Sequence, residues 1–378
     1  MKSLLLLISL LPLPVFANPW QGGDWQVANA AKSPAAVQAL TDFAFPAHID
    51  EASRKGLRTD ALLIIKDGKL VYEKYARGYH QNSAHLTWSM SKSVMSALYG
   101  RLVLQGKVNI DTAIGEKSPW ITDEGVKTVT YDDLLSMASG IDWQESYEYA
   151  PVFSSVVAML YTRGHDDMAK FVSEQGLAHK PGTFWRYSSG DTTLLSGLLK
   201  DIVGAEAHTD LPWTLLFEPL GMKSPVWEQD KKGNFVGGSY LYASARDMAR
   251  FGYLFLNDGM WNGQRLLPAG WVDYSCSVNK AYKQSWINGH IKSSRPYGAQ
   301  WWLNIEDKSI NMMPAWPDAP RNICVASGHW SQMVALFPTE NMMVVRMADD
   351  REGDGKYSYN EIFKLALKAF ASEQGANK

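Results

Sequence analysis

Ser89-Met90-Ser91-Lys92 sets a hydroxyl and an amine three residues apart. On a helix that spacing puts both on one face, a single turn from each other. A lysine stripped of water gives up its proton more readily and can then activate a serine as nucleophile. The pattern alone is weak, because Ser277-Val278-Asn279-Lys280 repeats it. Context separates the two. Ser89 opens a run in which Val94, Met95, Leu98, Leu102 and Val103 recur at helical spacing before Gly106 stops it. Lys92 falls on an apolar face, where an ammonium is costly. The helix start offers unpaired N–H groups and a positive dipole end to a developing oxyanion. Ser277 follows no such helix start, and Lys280 is expected to be a solvated surface charge. The plain alternative for Ser89 is a helix-capping serine.

A second element is Pro181-Gly182-Thr183-Phe184-Trp185-Arg186-Tyr187-Ser188-Ser189. Its turn delivers Tyr187 just before a helix, where a phenol beside Lys92 could sit at or near the phenolate and shuttle a proton. A half-buried structural tyrosine is the competing reading. A third is Ala326-Ser327-Gly328-His329, followed by an apolar strand. Small residues at a strand edge let a substrate approach the backbone. His329 could serve as a triad base, but no local motif marks an acidic partner, and its backbone N–H is the more telling group. The Gly-x-Ser-x-Gly elbow is absent. His165-Asp166-Asp167 reads as helix capping rather than a ligand set, and neither metal nor cofactor is expected.

These groups need a frame. Residues 60–65 and 70–75 around Asp67-Gly68 read as a β-hairpin. Helices are expected over 131–137, 167–174, 192–203, 211–219, 245–257 and 360–372. Strands are expected over 298–303, 323–327, 333–337 and 342–347. Strands at both ends with helices between them predict one sheet built from distant segments, the α/β part covering about 18–106 and 236–378. A helical insertion of about 107–235 would leave a cleft at the junction. Trp301, Trp302 and Trp330 fall near that cleft, with core packing expected for at least two of them.

The chain starts with one lysine, a short apolar run interrupted by Pro12 and Pro14, and Val15-Phe16-Ala17. This reads as a signal peptide of about residues 1–17 ahead of a single domain of 18–378, placing the mature chain in the periplasm or outside the cell. The run is too short for a span of about 20 residues, so no stable membrane insertion is expected. A net charge of −2 without like-charge blocks excludes a nucleic-acid footprint. The two cysteines, Cys276 and Cys324, either pair in an oxidising compartment or remain separate buried thiols.

In order and context these elements resemble the penicillin-recognising serine hydrolases, which include class C β-lactamases, D-alanyl-D-alanine carboxypeptidases, esterases and 6-aminohexanoate-dimer hydrolases. The resemblance rests on Thr87 to Ser93, Asp133 to Gly140, Pro181 to Ser189, Leu216 to Met222 and Ser244 to Gly252. The stretch to Trp261-Asn262-Gly263 is most similar to the 6-aminohexanoate-dimer hydrolase and esterase branch. It implies an α+β, β-lactamase/transpeptidase-like fold, an antiparallel sheet flanked by helices with an inserted helical subdomain. It also implies Ser89 as nucleophile, Lys92 and Tyr187 sharing its proton, and the N–H groups of Ser89 and His329 as the oxyanion hole. Substrate contacts would come from Ser189, Ala326, Ser327 and Gly328.

Two departures bear on substrate. Tyr187-Ser188-Ser189 replaces the usual Tyr-x-Asn with a shorter side chain. Ala326-Ser327-Gly328 replaces the Lys-Thr-Gly of β-lactamases, and losing a charge-assisted contact costs about 1.5–3 kcal/mol. Hydrolysis of a small ester or unstrained amide is therefore the expected activity. A β-lactamase or carboxypeptidase, or an inactive homologue that binds peptide or cell-wall fragments, are the alternatives.

Overall fold

The computed structural model describes residues 24–147, 151–291, 295–351 and 359–371. The expected signal peptide lies outside these residues. Among them a six-stranded antiparallel sheet forms from β1 (Thr59–Lys66), β2 (Lys69–Tyr75), β3 (Trp302–Leu303), β4 (Cys324–Gly328), β5 (Gln332–Phe337) and β6 (Met342–Ala348). Their order is β2-β1-β6-β5-β4-β3. The first strand thus pairs with the last, Leu63 opposite Val345. Positive φ at both Asp67 and Gly68 closes the β1–β2 hairpin.

Alternation along the strands divides the core into two layers. Leu62, Ile64, Val344 and Ala335 face α1 (Pro34–Ala44) and the C-terminal helix Tyr359–Phe370. Leu63, Val334 and Val345 face the opposite layer. There α2 (Met90–Leu104) packs on β4 and β5, beside α3 (Ser189–Val203). The helix α4 (Ala245–Leu256) covers β1, β5 and β6. The helix α2 is buried nearly all round, Lys92 included.

Most expected elements form, and the differences have local causes. The segment expected as a helix over 211–219 is helical over 211–217, widening at Trp213–Phe217 and ending before Pro219. The strand expected over 298–303 shrinks to Trp302–Leu303 because Gln300 turns left-handed, φ 68°. A helix does begin in the second Ser-x-x-Lys stretch, at Lys280 with Asn279 as its cap, which corrects the expectation of none. Ser277 remains outside it, exposed, as is Lys280. Asp167 caps Met168–Ser173, the role expected of the His165-Asp166-Asp167 run. Cys276 and Cys324 form a disulfide with Cα atoms 5.7 Å apart, tying the end of Trp271–Ser275 to the start of β4.

Candidate active site

Ser89 occupies the cap position of α2, yet its side chain makes no capping bond. The hydroxyl instead lies 3.0 Å from Lys92 Nζ, so the capping reading is set aside. Lys92 is 1% exposed and has two further partners, the Ser189 hydroxyl at 2.9 Å and the Gly238 carbonyl at 2.7 Å. Burial pulls its pKa down to about 8, while the nearby Glu145 charge opposes the fall.

Tyr187 arrives from the turn before α3, its ring stacked on Trp302 at 5.3 Å and 5.0 Å from Lys92 Nζ. Its phenol bonds Ser89. Burial and the Glu145 charge drive its pKa far up, so Tyr187 rests as a neutral phenol. The phenolate that the sequence left open is thus disfavoured. The low dielectric that deprotonates a lysine protonates a tyrosine.

Glu145 is the residue that sequence reasoning missed. Its Oε1 accepts from Ser189 Oγ at 2.5 Å, and its Oε2 accepts from Ser189 N at 2.8 Å and Trp143 Nε1 at 2.6 Å. The shorter Ser189 side chain still reaches Lys92, and its hydroxyl is taken up there and by Glu145 rather than presented to the cleft. Gly237-Gly238 was missed too. A Cβ on Gly237 would lie 2.5 Å from the Thr192 carbonyl and one on Gly238 2.8 Å from that of Ser189. Glycine lets this segment press against the start of α3 and hand a carbonyl to Lys92.

The strand edge completes the cleft. A Cβ on Gly328 would stand 2.2 Å from the Thr87 carbonyl, so β4 ends against the turn that carries Ser89. No acceptor among the described residues takes the Ser89 N–H. The His329 ring packs against Trp88 at 5.4 Å and Tyr147 at 5.8 Å. Ala326 is buried in the strand, and Ser327 Oγ lies 3.1 Å from the Tyr359 hydroxyl. Beyond Ser327 a cavity of about 310 Å³ is lined by Arg295, Trp316 and Tyr359, which brings a cation to the neighbourhood of the missing lysine. Trp301 is fully buried in the core and Trp302, partly buried, packs against two hydrophobic clusters while stacking on Tyr187, so two of the three tryptophans are core as expected; Trp330 stands 5.1 Å from Trp88. Trp88, Tyr240 and Trp330 all hold left-handed backbone, a strain of about 1–3 kcal/mol each that clusters at this site.

Residues 37–367 match the beta-lactamase family. The chain belongs to that family. Within it, the chain is 24% identical to a 6-aminohexanoate-dimer hydrolase of Paenarthrobacter ureafaciens over 293 residues, 69% of this chain and 73% of the relative. Among solved structures it is similar to EstCE1, a hydrolase with promiscuous acyltransferase activity, with a TM-score of 0.66 and 13% identity over 89% of this chain and 98% of that one. A beta-lactamase from Mycobacterium bovis has a TM-score of 0.59 at 15% identity over 88% of this chain and 97% of its own. At such identities these structures establish the beta-lactamase fold, with its antiparallel sheet and flanking helices. The arrangement at Ser89 can take a proton from a serine, hold an oxyanion and return a proton from a neutral phenol.

Proposed function

We propose that this beta-lactamase family member is an exported serine hydrolase that cleaves an ester or unstrained amide through an acyl-Ser89 intermediate. The observation that carries the reading is the 3.0 Å contact between Ser89 Oγ and a buried Lys92 whose pKa is lowered to about 8. Neutral Lys92 accepts the Ser89 proton as the oxygen bonds to the carbonyl carbon. The resulting oxyanion is met by the N–H groups of Ser89 and His329. Neutral Tyr187 donates its proton to the departing oxygen or nitrogen and is reprotonated by the Lys92 ammonium. Water then attacks the acyl-enzyme, its proton passing to Lys92, and Ser89 leaves protonated. The Cys276–Cys324 disulfide supports an oxidising compartment. Buried Ala326, which brings no cation to the strand, favours substrates without a carboxylate there.

The test is hydrolysis of short-chain p-nitrophenyl esters by the mature protein beside Ser89→Ala. Activity that vanishes in the variant supports the reading, and activity that persists overturns it. Arg295 beside Ser327 favours a second reading, turnover of β-lactams or cell-wall peptides, and rapid cleavage of a chromogenic cephalosporin would shift the assignment there.

A further inference from the structure

The hydroxyl of Ser189 stands between the lysine and a carboxylate, and its hydrogen can serve only one of them. Ser189 Oγ lies 2.9 Å from Lys92 Nζ and 2.5 Å from Glu145 Oε1, and Tyr147 bonds it as well. An ionised carboxylate only accepts, so the Ser189 hydrogen must point at Glu145. The Ser189 lone pairs are then left for Lys92 and Tyr147. The Gly238 carbonyl at 2.7 Å from Lys92 also only accepts.

A neutral lysine has two N–H bonds and one lone pair. With Ser189 and Gly238 each requiring an N–H, the lone pair has one partner left, the Ser89 hydroxyl at 3.0 Å. We infer that Glu145, acting through the Ser189 hydroxyl, aims the Lys92 lone pair at Ser89. Glu145 is thus a positioning residue, and the inference rests on reading Ser89 as nucleophile and Lys92 as its base. The logic is that of a carboxylate that fixes which nitrogen of a catalytic histidine carries the proton. The other groups facing Lys92 do not supply this direction. Tyr187 presents its ring, and Gly238 fixes one N–H without choosing between the two serines.

Glu145→Gln reverses the arrangement while keeping its shape. Ser189 N and Trp143 Nε1 both donate to Oε2, so the amide must place its carbonyl there. Its NH2 then faces Ser189 Oγ and donates to it, turning the Ser189 hydrogen toward Lys92. The lone pair is satisfied by Ser189 and Lys92 donates to Ser89 instead.

The experiment measures phosphonylation of Ser89 by a fluorophosphonate, read as intact mass against time from pH 6 to 10. Wild type, Ser89→Ala, Glu145→Gln, Ser189→Ala and the double variant combining Glu145→Gln with Ser189→Ala are compared, with thermal melts to confirm folding. The expected result is a plateau rate at least tenfold lower in Glu145→Gln. Ser189→Ala, which removes the misdirected hydroxyl outright, should stay faster than Glu145→Gln, and adding Glu145→Gln to it should cost less than about twofold. An equal loss in both backgrounds, or a plateau unchanged with the profile merely displaced along pH, overturns the inference. If Glu145→Gln melts, Glu145→Ala carries the same comparison, since it too frees the Ser189 hydroxyl to turn. Labelling that survives Ser89→Ala defeats the nucleophile reading itself. An inert Ser89→Ala beside a wild-type-like Glu145→Gln defeats only the role of Glu145.

Discussion

Gly328 lies so close to Thr87 that a Cβ built on it would stand 2.2 Å from the Thr87 carbonyl oxygen. The end of β4 and the turn before Ser89 therefore share a spacing that only hydrogen can fill. Gly328→Ala should push the two apart, costing about 1–3 kcal/mol of stability. Because the displaced pieces carry the two N–H groups proposed to hold the oxyanion, kcat/KM should fall at least tenfold. Thermal melts and ester hydrolysis measure the two effects, and a variant with native rates would remove β4 from the site.

The pH dependence of acylation follows from Lys92. Its pKa is lowered to about 8 by burial, and in the proposed mechanism the neutral amine is the base. The rate should rise as pH increases through about 8 and level off above it, since the protonated fraction disappears there. A profile already flat between pH 6 and 7 would mean that Lys92 is not the titrating base.

Asp191 gives a pH dependence of the opposite sign, in stability. Its Oδ1 accepts from Ser139 at 2.8 Å and Ser188 at 2.9 Å, and the carboxyl is otherwise deeply buried. Burial raises its pKa from an ordinary 3.8 to about 7. The folded state thus holds a proton that the unfolded chain has released, so stability is fully present below pH 4 and is lost as pH rises through 7. The span amounts to roughly 4 kcal/mol. Asp191→Asn should flatten that slope, as chemical denaturation from pH 4 to 8 would reveal.

Breaking the Cys276–Cys324 bond releases a loop of 48 residues, worth about 4 kcal/mol in chain entropy. Replacing both cysteines with alanine should lower the urea midpoint accordingly. Unchanged stability would show that the bond contributes little beyond the packing around it.

How much of this was legible in the sequence depends on the range of the contacts. Ser89, Lys92 and Tyr187 sit in local patterns, a helical face and a turn before a helix, and those patterns were readable. The hairpin announced itself through Asp67-Gly68 and the late strands through their apolar runs. Glu145 sits in a segment without periodicity and meets Ser189 across 44 residues, so no local signal marked it. The adjacent glycines 237 and 238 were a usable sign of close backbone approach that went unread. The charge of Tyr187 was left open in the sequence, because its proximity to Lys92 favours a phenolate while burial, which only the fold reveals, favours the neutral phenol. The resemblance to the penicillin-recognising hydrolases implied an antiparallel sheet flanked by helices, but the strand order rests on long-range pairings that no local pattern marks.

The pairing of β1 with β6 bears on how the molecule comes into being. A ribosome releases Ser89 and Lys92 early, on a helix whose apolar surface has no sheet to cover it. The strand that closes the cleft, and the one that joins Thr59 to Ala348, leave much later. Until then Ser89 lacks the strand edge that flanks it in the fold, and Lys92 the burial that lowers its pKa. Reactivity is therefore withheld from every incomplete chain, and prematurely ended products should be chemically inert as well as unfolded.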